Sequence, residues 1–232
     1  MPNHNPMFRI ICFLLLVSMS LGCANERSQQ VETNESTDTA PTSEKKLILF
    51  FGNSLTAGYG IDEEDAFPGL VAQRIDSLGL NYRVINAGLS GETTASGLSR
   101  LDWFLEEEPA IFFLELGGND GLRGIAVEET KKNLKNMIQM VNSRYPNTCI
   151  ILAGMQIPPN MGQAYTASFE RIYPEISQEE NVTLVPFLLE GVAGEKELNL
   201  PDGIHPTEAG HQLVFATIWP FIQDKMAEID TN

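Results

Sequence analysis

Beyond Lys46 the chain alternates between short runs of β-branched, leucine and aromatic residues and longer stretches in which apolar positions recur every three or four residues. The first pattern suits strands buried on both faces, and the second suits helices with one apolar side. The runs predict strands over Leu47–Phe51, Tyr82–Asn86, Ala110–Leu116, Thr148–Met155 and Val182–Phe187. Helices are predicted over Phe67–Leu78, Thr93–Glu107, Val127–Ser143, Ala164–Glu179 and Thr207–Met226. Pro174 should bend or shorten the fourth helix and Pro220 should interrupt the last, because proline removes a helical N–H donor. Strand and helix in alternation indicate βαβ units and a parallel sheet, with any chemistry gathered in the loops that follow the strands.

The first 46 residues follow neither pattern. His4 and Arg9 precede an apolar run from Ile10 to Leu21, too short to span a membrane but the length of a signal-peptide core. The run ends in Ser20-Leu21-Gly22-Cys23, which resembles a bacterial lipobox and marks Cys23 as a lipidation site, although Ser20 stands where that pattern prefers a larger aliphatic residue. Ordinary signal cleavage nearby is the alternative. Residues 24–46 are rich in Ser, Thr, Asn, Glu and Gln and cannot bury enough surface to order themselves, so they read as a linker. The division expected is therefore signal (1–23), linker (24–46) and one catalytic domain (47–232). The protein is expected to be exported, either periplasmic or tethered to a bacterial envelope membrane through Cys23.

Composition narrows the function. A formal net charge of −16, from 15 Lys+Arg against 31 Asp+Glu, excludes the clustered cations that a nucleic-acid partner requires. Of the three cysteines, Cys12 and Cys23 fall in the leader, so Cys149 has no disulfide partner in the domain and reads as a small buried apolar residue. No His/Cys/Asp cluster has metal-ligand spacing, and no metal or other cofactor is expected. The glycines after the first strand do not form G-x-G-x-x-G, and G-x-S-x-G is absent.

Candidate chemistry lies in four loops. Gly52-Asn53-Ser54-Leu55 follows the first strand and can expose a hydroxyl, although alone it is common turn chemistry. Asp202-Gly203-Ile204-His205 allows a carboxylate to hold one imidazole nitrogen while the other accepts a proton from a serine. His211, the other histidine outside the leader, falls inside the predicted final helix and reads as an exposed or packed residue. The loop from Asn86 to Thr94 carries Gly88, whose backbone N–H no side chain blocks, and Gly117-Gly118-Asn119-Asp120 supplies an amide donor. Donors aimed at one point stabilise the oxyanion of a tetrahedral intermediate, each worth about 3 kcal/mol of barrier.

Taken in their order along the chain (Gly52-Asn53-Ser54-Leu55, the Gly88 loop, Gly117-Gly118-Asn119-Asp120 and Asp202-Gly203-Ile204-His205), the four segments resemble the four sequence blocks of the SGNH (GDSL-like) hydrolase family, over essentially the whole domain. The resemblance implies Ser54 as nucleophile, His205 as general base and acid, and Asp202 as its orienting carboxylate. It also implies oxyanion donors from the backbone of Ser54 and Gly88 and the side chain of Asn119. The fold implied is flavodoxin-like: a three-layer α/β/α sandwich on a five-stranded parallel sheet. The stretch Glu115-Leu-Gly-Gly-Asn-Asp-Gly-Leu-Arg-Gly124 is most similar to the branch of exported acyl-thioesterases, lysophospholipases and arylesterases. Asn53 departs from the Asp that usually fills its place, which alters polarity behind Ser54 without touching the triad.

The expected activity is hydrolysis of acyl esters or thioesters through an acyl-Ser54 intermediate. Leu122, Ile157 and Met161 are candidates for an acyl pocket, with simple packing against the sheet as the alternative. Carbohydrate O-acetyl ester hydrolysis is the competing activity; it calls for exposed aromatic residues near the loops, where only Tyr59 and Tyr165 stand. A non-catalytic lipid- or glycan-binding surface protein is the competing class, and it would be expected to have lost Ser, His or Asp from the blocks.

Overall fold

In β1 (Lys46–Gly52), successive side chains point to opposite faces, and both faces are apolar. Phe50 meets Phe113 and Phe67 on one side, at ring-centroid distances of 5.0 and 5.6 Å. Its neighbour Phe51 meets Phe112 and Phe104 on the other, at 6.0 and 5.8 Å. Such a strand can only be central, and it is.

The computed structural model describes residues 44–231. These residues belong to one unit, Thr42–Asn232. The expectations for the signal peptide, for Cys23 and for nearly all of the linker lie outside the described residues.

The sheet holds β1, β2 (Tyr82–Gly88), β3 (Pro109–Glu115), β4 (Cys149–Ala153) and β5 (Thr183–Val185) in the order β2-β1-β3-β4-β5, every pair parallel. Helix α2 (Phe67–Ser77) packs on β2 and on α7 (Glu208–Thr231), and α7 also touches β3 and β5. On the opposite face, α5 (Val127–Arg144) lies between α3 (Thr94–Arg100) and α6 (Gln163–Glu180). The result is the three-layer α/β/α sandwich. Between β1 and β3 the strand order reverses direction, which opens a crevice at their carboxyl ends. Two short helices sit there, α1 (Ser54–Ala57) after β1 and α4 (Gly118–Leu122) after β3.

Local chemistry explains the helix ends. Thr93 caps α3 through a reciprocal pair with Ser96, Glu128 and Glu129 occupy the first turn of α5, and Arg144 occupies its last. The structure corrects three expectations. The helix expected over Thr93–Glu107 ends at Arg100 and continues as a 3-10 turn, Leu101–Phe104. Both α6 and α7 run through their prolines, so Pro174 does not shorten the one and Pro220 does not interrupt the other. Buried side chains flank each proline (Tyr173 and Ile176, Ile218 and Ile222), so packing holds the helix across the lost hydrogen bond. Finally, β4 and β5 are shorter than the apolar runs, whose ends serve as loops facing the crevice. Among the described residues, no helix is long and apolar enough to cross a membrane.

Candidate active site

Ser54 owes its position to the end of β1. Gly52 admits no side chain, since a Cβ there would stand 2.6 Å from Glu115 Oε2. The Asn53 side chain caps α1, its Oδ1 accepting from the Leu55 N–H at 2.9 Å. Beneath this turn lies Glu115, the last residue of β3 and fully buried. Its carboxylate accepts from the Asn53 N–H (3.1 Å), from Asn53 Nδ2 (2.6 Å) and from Thr56 Oγ (2.8 Å). Burial pushes the Glu115 carboxyl up to about 7 from an ordinary 4.5, against the pull of these donors. Sequence reading missed Glu115; the available signal was a lone acid closing an otherwise apolar strand.

The segment from Asn199 to Pro206 is pinned at both ends by a bridge between those two residues and by Leu200 N–H donating to the His205 carbonyl at 2.7 Å. Between them, Asp202 folds back on its own loop. One oxygen accepts from the backbone N–H of Ile204 (2.9 Å) and of His205 (3.0 Å), and the other meets His205 Nδ1 at 2.8 Å. The bond to His205, followed by the two backbone donors, pulls the Asp202 carboxyl down to about 2, so it is an anion at neutral pH. Holding Nδ1 as the donor leaves the lone pair on Nε2, which lies 2.9 Å from Ser54 Oγ. The structure thus brings Ser54, His205 and Asp202 into one hydrogen-bonded line.

The remaining candidates fall as follows. Asn119 lines the same cavity, and its Nδ2 donates to the Glu92 carbonyl at 3.1 Å. Gly88 differs from expectation: its N–H donates to Asn86 Oδ1 at 3.0 Å and is not an open donor. The next glycine of that loop, Gly91, has φ +80° and directly precedes the residue to which the Asn119 amide is tied. A cavity of about 560 Å³ opens beside Ser54 and His205, with apolar walls from Leu122, Met155, Ile157, Phe187 and Leu189. Met161 does not line it: the 3-10 turn Pro159–Met161 directs that side chain onto the hydrophobic core. Tyr165 is half-buried against Phe169, its hydroxyl bound to the Ile125 carbonyl, and it does not line the cavity. His211 is buried in α7, where Nδ1 accepts from the Phe67 N–H at 3.1 Å.

A parallel α/β/α sandwich with this line of side chains at its switch point, beside an apolar cavity, has the layout of a carboxylic ester hydrolase. A family model described as the GDSL-like lipase/acylhydrolase family matches residues 50–213, and the chain belongs to that family. Esterase TesA of Pseudomonas aeruginosa is 41% identical over 179 residues, 77% of this chain and 88% of the relative. The thioesterase 1/protease 1/lysophospholipase L1 of Escherichia coli K12 is 36% identical over 182 residues, 78% of this chain and 81% of the relative. Among solved structures, that of the psychrotrophic esterase EstA from a Pseudoalteromonas species, inhibited by monoethylphosphonate, superposes with a TM-score of 0.73. It is 32% identical, with 81% of this chain and all of that chain covered. The protein is a carboxylic ester hydrolase that acts on acyl esters.

Proposed function

We propose that the protein hydrolyses lipid-type acyl esters, of the lysophospholipase or arylesterase kind, by two-step acyl transfer through Ser54. The observation that carries this reading is the 2.9 Å contact between Ser54 Oγ and His205 Nε2 beside the apolar cavity. As Ser54 Oγ bonds to the acyl carbon, its proton passes to Nε2, and Asp202 stabilises the imidazolium that forms. The oxyanion is held by the Ser54 N–H, by Asn119 and by a backbone donor of the 88–92 loop. For that donor Gly91 is the better assignment, because the Gly88 N–H is already committed to Asn86. Nε2 then gives its proton to the leaving oxygen or sulfur, and water repeats the sequence on the acyl-enzyme.

Leu122 and Ile157 are assigned to the acyl-binding wall. The apolar lining favours a fatty acyl group over an acetylated sugar, which calls for a wall of polar groups. The relatives' names, esterase and thioesterase/lysophospholipase, support the same choice. The apolar stretch from Ile10 and the Gly22-Cys23 pair support export and a lipid tether at Cys23.

The test is a p-nitrophenyl ester series from acetate to palmitate, with Ser54→Ala alongside. Turnover that peaks at medium or long chains and drops by three orders of magnitude or more in Ser54→Ala is expected. A preference confined to acetate would move the assignment to sugar deacetylation. Turnover indifferent to Ser54 would remove the acyl-enzyme altogether.

A further inference from the structure

Tyr59 is the aromatic neighbour of the catalytic imidazole: its ring centroid lies 4.5 Å from that of His205, with the planes inclined at 39°. The residue is 51% exposed, which for an isolated surface aromatic would call for no explanation. This one is held in place. Its N–H donates to the Ser54 carbonyl at 3.0 Å, and it stands between two glycines with positive φ, Gly58 (+73°) and Gly60 (+82°). Gly60 abuts the segment that carries His205, since a Cβ there would stand 2.6 Å from Leu200 Cδ1. A ring with an open face is therefore fixed against His205 by the same turn that carries Ser54.

The side on which it stands matters. His205 borders the apolar cavity, whereas Tyr59 is not among the residues that line it. When the carbonyl carbon bonds to Ser54 Oγ with its acyl chain in the cavity, the leaving oxygen must lie within reach of His205 Nε2. With the acyl chain in the cavity, the face of His205 outside it, where Tyr59 stands, is the side open to the group on that oxygen. Collapse of the tetrahedral intermediate breaks the bond between carbon and this oxygen; the electron pair stays on the oxygen, which takes the Nε2 proton and departs.

We infer that Tyr59 is the floor of a leaving-group subsite that accepts flat aromatic alcohols by offset stacking, making it a specificity-determining residue for aryl esters. The inference rests on the acyl-Ser54 reading above. An offset ring pair favours an aromatic group by a factor of roughly two to ten beyond the area it covers.

The experiment compares phenyl butyrate with cyclohexyl butyrate on the full-length wild type, Tyr59→Leu and Tyr59→Phe. Both esters form the same butyryl-enzyme, and kcat/KM covers binding and acylation, the steps during which the leaving group is still on the enzyme. The phenyl-to-cyclohexyl ratio of kcat/KM is expected to fall roughly fivefold in Tyr59→Leu and to be kept in Tyr59→Phe. Equal losses on both esters, or a larger loss on the cyclohexyl ester, whose alkoxide depends more on the Nε2 proton, would overturn the inference and reduce Tyr59 to a brace for His205, with the acyl-Ser54 reading intact. Absence of Ser54-dependent turnover on either ester would overturn the inference together with that reading.

Discussion

Asn53 uses every polar atom it has. Its Oδ1 caps α1, while its N–H and Nδ2 both donate to the Glu115 carboxylate. The amide at this position suits an ionised Glu115, because it supplies a donor where an aspartate would bring a second negative charge to within 2.6 Å of the first. Two carboxylates in that arrangement hold one proton between them and lose it only at higher pH, when repulsion pushes the Ser54 turn out of line. Asn53→Asp is therefore expected to behave nearly as wild type at pH 6 and to lose activity several-fold relative to wild type by pH 9. The measurement is the ratio of kcat/KM for the two proteins across that range. A ratio flat with pH would mean that charge behind Ser54 has no bearing on catalysis.

The placement of α1 depends on its contact with the end of β2. At Gly88 a Cβ would come within 2.7 Å of Ala57 Cα, a backbone atom that cannot yield unless α1 moves. Gly88→Ala is expected to cost about 2 kcal/mol of stability from overpacking and to lower kcat by about a hundredfold as Ser54 leaves its line with His205. Urea unfolding and steady-state kinetics on the same preparation would check both. An unchanged kcat would mean that the turn tolerates the shift. The sequence could not reveal this contact, because it joins residues 31 positions apart. The five strands were legible because an apolar run buried on both faces is a strong signal, and the long helices because three or four turns display their periodicity. The helices that carry the site were not legible: α1 and α4 are one turn each, too short for a period, and their glycines and small polar residues read as turns. Ser54, Asn119, Asp202 and His205 were recoverable as residue types in a particular order. Tyr59 was legible as an aromatic near the loops but not as the neighbour of His205, and Glu115 was not legible as the support of the Ser54 turn, since the importance of each comes from what the fold sets beside it.

Two buried ionisable side chains set opposing pH dependences for the whole molecule. Glu115 ionises at about 7 in the folded protein instead of 4.5, so its favourable contribution is complete below 4.5 and is lost as pH rises through 7. Burial, with a smaller effect from His205, lowers His211 to about 4 from 6.5. Its contribution is complete above 6.5 and is lost as pH falls through 4. Each displacement corresponds to about 3 kcal/mol, and between 4.5 and 6.5 the two slopes nearly cancel. Removing one group should expose the other. Relative to wild type, Glu115→Gln is expected to gain about 3 kcal/mol between pH 4.5 and 7.5, and His211→Asn, which keeps an acceptor for the Phe67 N–H, to gain about as much between pH 6.5 and 4. Taking differences from wild type at each pH cancels the surface carboxylates common to all three proteins, so urea unfolding at pH 4, 5.5 and 7.5 isolates each group. Parallel curves for wild type and Glu115→Gln would show that Glu115 ionises at its ordinary value, and the pH argument for the Asn53 amide would fall with it.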